Sequence, residues 1–65
     1  MNIEYVNDKY QIWCGIINRL EINQRAQWCT ESWGDNWGFV HTKFGNSCFV
    51  FYRHNHAMWF KLKYS

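Results

Sequence analysis

The stretch Cys48–Ser65, CFVFYRHNHAMWFKLKYS, decides the fold. It opens as a strand, with Phe49 and Phe51 on one face and Cys48, Val50 and Tyr52 on the other. Beyond Arg53 two periodicities compete. Met58, Phe60, Leu62 and Tyr64 alternate against Trp59, Lys61 and Lys63, which is a strand pattern with Arg53-His54-Asn55-His56 as a hairpin turn. The other reading puts one to two helical turns at Asn55–Phe60, with Asn55 as N-cap and Ala57 and Phe60 on one side. A closing strand Lys61–Tyr64 then follows. The segment is too short for periodicity to separate the two.

Upstream, Gly45-Asn46 is a turn signal that pairs this strand with Trp37–Phe44. There Trp37, Phe39, His41 and Lys43 alternate with Val40, Thr42 and Phe44. Ile22, Ala26, Cys29 and Trp33 form one helical stripe, which predicts a helix over Arg19–Ser32. Asn18 with Glu21 three places on is a capping-box-like start, and Gly34 stands where a C′ glycine belongs. Tyr10–Ile17 alternates as a strand after the turn signal Asn7-Asp8-Lys9. Ile3–Val6 is either a short strand hairpinned to it or an extended lead-in.

The frame Trp28-Cys29-x-Glu31-x-Trp33-Gly34, then Trp37, Phe49-Val50-Phe51 and Ala57-x-x-Phe60-x-Leu62-x-Tyr64 resembles small uncharacterised proteins of tailed phages. The likeness covers roughly the last forty residues, and its motifs are packing motifs. It departs at His56, where those proteins carry an acid before the alanine. The resemblance implies strand–short helix–strand for the tail. The expected fold is therefore α+β: a small antiparallel sheet with one main helix, ferredoxin-like in the order β-α-β-β-α-β. The alternative order is β-β-α-β-β-β.

Sixty-five residues make a single domain, 1–65, with little surface to bury. Large side chains compensate, for aromatics form 22% of the chain. Such a surplus on a small body predicts an exposed aromatic contact surface. The net charge of +2 lacks the basic stripe of a typical nucleic-acid binder. Met1-Asn2-Ile3-Glu4 begins no apolar leader, and no run is long enough to span a bilayer, so no membrane is expected. An odd cysteine count of three fits a reduced, cytoplasmic setting.

No catalytic constellation stands out. The acids Glu4, Asp8, Glu21, Glu31 and Asp35 are scattered, and no phosphate loop is present. Cys14, Cys29, Cys48, His41, His54 and His56 lack structural zinc spacing, so neither metal nor cofactor is expected. The cysteines read as small buried hydrophobes. Phe49-Val50-Phe51-Tyr52 resembles the end of the RRM signature, but Ser47 replaces its first stacking aromatic. Single-stranded nucleic acid is therefore an alternative ligand, with Trp13 as the missing ring.

The leading expectation is a non-enzymatic binding protein. Its patch is drawn from Trp13, Trp37, Trp59, Phe49, Phe51 and Arg53, the residue types that dominate interfaces. Trp28, off the helical stripe, is a further candidate, while Trp33 reads as core. The resemblance implies a phage protein that inhibits or redirects a host or defence protein. Self-association through the same face, as a homodimer or structural oligomer, is the remaining alternative.

Overall fold

In the computed structural model, residues 1–64 are described. Their elements are β1 (Ile3–Val6), β2 (Lys9–Gly15), α1 (Arg19–Trp33), β3 (Trp37–His41), β4 (Ser47–Phe51) and α2 (His54–Tyr64). The strands form one antiparallel sheet in the order β1-β2-β4-β3. The fold is small and α+β, as expected. Its order, β-β-α-β-β-α, is neither of the two expected ones.

The first departure from the ferredoxin-like order is at the N-terminus, where the hairpin alternative forms. Ile3–Val6 joins the sheet because Asn7 and Asp8 both take positive φ, 52° and 63°. Two such residues make the tight hairpin turn whose twist matches the flanking strands. The Tyr5 hydroxyl donates to Asp8 Oδ1 at 2.9 Å and fastens the turn.

The second departure is the tail. No closing strand forms at Lys61–Tyr64; α2 runs unbroken from His54, and Asn55 lies inside its first turn. The deciding spacing is Ala57, Phe60, Tyr64, three and four apart, which stacks on one helical face. Ala57 and Phe60 are fully buried, and Tyr64 packs on Phe60 with ring centroids 5.0 Å apart. Lys61 and Lys63 occupy the last turn, where cations complement the helix dipole.

The third departure is small. The β3–β4 connection spans Thr42–Asn46, so β3 stops at His41 and leaves Phe44 exposed in the loop. The Thr42 N–H donates to the Asn46 carbonyl at 2.9 Å, and Gly45 accepts the turn with φ 87°.

Helix α1 obeys its signals. Asn18 Oδ1 accepts from the Glu21 N–H at 2.8 Å. The Gly34 N–H donates to the Thr30 carbonyl at 2.8 Å, with Gly34 at φ 65°. Both helices lie on one sheet face. Their Cys29, Ala57 and Phe60 close over Ile12, Phe49 and Phe51. The rings of Phe49 and Phe51 stand 4.8 and 5.2 Å from that of Phe60. Arg25 joins the helices by lying 4.8 Å over the Tyr64 ring.

Candidate binding surface

The six candidate residues do not form one patch. Phe49 and Phe51 are fully buried. Their strand is central, and its helix-facing side is the core, so neither ring is free for a partner. Trp37 also faces the helices. It stacks on Phe49 at 6.0 Å, and its indole N–H donates to the Gly34 carbonyl at 2.9 Å. Trp13 lies on the opposite, uncovered side of the sheet, in register with Cys48, and is half-buried. Arg53 is exposed at the entry to α2.

Trp59 is the aromatic candidate that stands largely in solvent, at 60% exposure. It has neighbours that the strand reading of the tail concealed. On a helix, Met58 and Leu62 are four apart and Trp59 and Leu62 three apart, so all three share a face. Leu62 is 68% exposed, and Met58 is exposed too. Trp28, from α1, is half-buried at the border of this face. It forms the wall of a shallow groove of about 450 Å³ with Trp59, Leu62 and Lys63. The Lys63 ammonium lies 5.7 Å from the Trp28 ring. Trp28 is the candidate expected off the α1 stripe, while Met58 and Leu62 join it only with the helical period of the tail.

Helix α2 is thus apolar on both sides. Ala57, Phe60 and Tyr64 face the core, while Met58, Trp59 and Leu62 face water. The second apolar stripe, flanked by Lys61 and Lys63, is the kind of exposed patch that marks a contact surface. Charge at the site is positive, from Lys63 in the groove and Lys61 in the same turn of α2.

Burial pushes the Cys29 thiol up to about 12 and the Cys48 thiol up to about 11. Burial raises Cys14 as well, partly offset by Arg25. Reactive cysteines are shifted the other way. Burial, with Arg53 adding to it, lowers His56. Among the described residues no three His, Cys, Asp or Glu side chains are placed to share a metal ion. Among the same residues no helix is long and apolar enough to cross a membrane. The burial of Phe49 and Phe51 leaves the RRM-like reading without its two stacking rings.

No protein-family model matches the chain, and neither does any curated protein or solved structure.

Proposed function

We propose that the chain is a binding protein whose α2 face, Met58, Trp59 and Leu62 with Trp28 at its border, docks on a partner protein. The carrying observation is the double-sided apolarity of α2, with Trp59 and Leu62 more than half exposed. Truncating an aromatic anchor of this kind commonly costs more than 1 kcal/mol of binding. Action is steric: the docked face covers a functional surface of the partner. Lys61 and Lys63, in the last turn of the same helix, favour an apolar target edged by acids. The likeness to tailed-phage proteins makes a host or defence protein the partner class.

The experiment is affinity capture from host lysate by the tagged chain, in parallel with a W59A/L62A variant, each with and without nuclease. A stoichiometric protein retained by the wild type after nuclease, and lost by the variant, supports the reading. Equal recovery by both chains would rule out the α2 face. Nuclease-sensitive recovery without a dominant protein would favour nucleic acid, with Trp13 the ring to test.

A further inference from the structure

The two edges of the sheet differ in how they guard themselves. β3 is an outer strand paired on one side only, with β4. Its sequence, Trp37-Gly38-Phe39-Val40-His41, contains no Lys, Arg, Asp, Glu or proline, and its register with β4 has no bulge. Natural edges normally carry one of these devices against pairing with another chain.

The ladder fixes which groups of β3 face outward. Thr42 donates its N–H to Asn46, and that pair continues the β3–β4 register. Hydrogen-bonded and non-bonded pairs alternate along an antiparallel ladder. Val40 and Gly38 therefore bond to β4. Trp37, Phe39 and His41 turn their N–H and C=O groups to the open edge.

From this we infer that β3 pairs with β3 of a second copy, antiparallel and centred on Phe39. That register sets Phe39 against Phe39, Trp37 against His41, and Gly38 against Val40. It is the two-fold register that engages all three outward residues, and each such pair exchanges two hydrogen bonds. Beside the edge, a groove of about 530 Å³ lined by Ile17, Arg19, Ile22, Asn23, Phe39 and His41 leaves room for the second Phe39 ring. The other edge is unsuited to the same contact. β1 is shorter, and a two-fold centred on it would put Glu4 against Glu4. The product is one continuous sheet across a closed dimer. This inference is independent of docking through α2.

The test is sedimentation velocity from about 5 to about 500 µM, a span suited to a small interface. The expected mass rises from 8.0 kDa to twice that and stops. F39K places two ammonium groups on the axis and should weaken the dimer about tenfold or more. Amide exchange gives a second readout. The Trp37, Phe39 and His41 amides should slow with concentration, while Gly38 and Val40 stay protected throughout. A monomer at every concentration overturns the inference. So does growth beyond a dimer, which signals β1–β3 head-to-tail pairing. A dimer that survives F39K but is lost in W59A/L62A belongs to α2 instead.

Discussion

His56 lies flat on Trp33, their ring centroids 4.4 Å apart and their planes within 16° of parallel. The stack joins the first turn of α2 to the end of α1. His56 Nδ1 is buried there and has no hydrogen-bond partner. A proton on the ring would add charge where solvent is scarce and Arg53 is near, so the His56 pKa falls below 6.5.

The pH dependence follows from that direction. Above the ordinary value both folded and unfolded His56 are neutral, and the stack is at full strength. As pH falls through about 6.5, the unfolded chain takes up the proton first, so stability declines with acid. The loss ends once pH passes below the lowered folded value. Thermal melts from about pH 7.5 to about pH 5 should show a falling midpoint in this window. H56F keeps an aromatic ring on Trp33 and should flatten that slope. An unchanged slope in H56F would assign the acid sensitivity to other groups.

Phe60 is the keystone of the core. It is fully buried and contacts the rings of Phe49, Phe51, Trp28 and Tyr64. F60A should cost about 3–5 kcal/mol, from lost transfer energy and the cavity left behind. A domain of 65 residues has about 3–10 kcal/mol in all. The variant should therefore unfold at much lower urea, read by tryptophan fluorescence. L62A, two residues on but exposed, should move the midpoint by about 0.5 kcal/mol or less. Equal effects from the two would refute the assignment of faces on α2.

The ends of α1 make a paired prediction. N18A removes the acceptor for the Glu21 N–H and should cost about 1 kcal/mol. At Gly34 an added Cβ meets nothing within 4 Å, yet φ is 65°. With ψ at −125°, Gly34 occupies a region that side-chain-bearing residues rarely enter, so G34A should cost about 1–3 kcal/mol from backbone strain alone and without a clash. A clash-sized loss in G34A would mean that the site is tighter than its geometry.

These two ends were legible in advance because capping is local chemistry. Asn18, Glu21 and Gly34 carry their signal within a few residues. The tail was ambiguous for the opposite reason. Phe60 and Tyr64 are spaced four apart, a distance shared by a strand face and a helix face. What separates the readings is whether Ala57 or Met58 is the buried neighbour, and that depends on Phe49 and Phe51 across the core. The candidate surface inherited this ambiguity. Trp59 could be named from residue type alone, but Leu62 and Met58 joined it only with the helix. Phe49 and Phe51 were misassigned because β4 is apolar on both faces, so sequence could not show which one the helices cover.

The cysteines offer a last check on the same packing. Cys29 and Cys48 are fully buried, with thiols pushed up to about 12 and about 11, while Cys14 is partly exposed. The reacting species is the thiolate, so both burial and a raised pKa slow alkylation. Arg25 beside Cys14 works in the reverse direction and favours its thiolate. Iodoacetamide at about pH 8 should therefore label Cys14 first and leave the other two untouched in the folded chain. Intact mass should show a single adduct, mapped to Cys14 by digestion, and three adducts in urea. Labelling of Cys48 at the rate of Cys14 would show that the Trp13 side of the sheet opens to solvent. In that event the uncovered sheet face, rather than α2 alone, would be available to a partner.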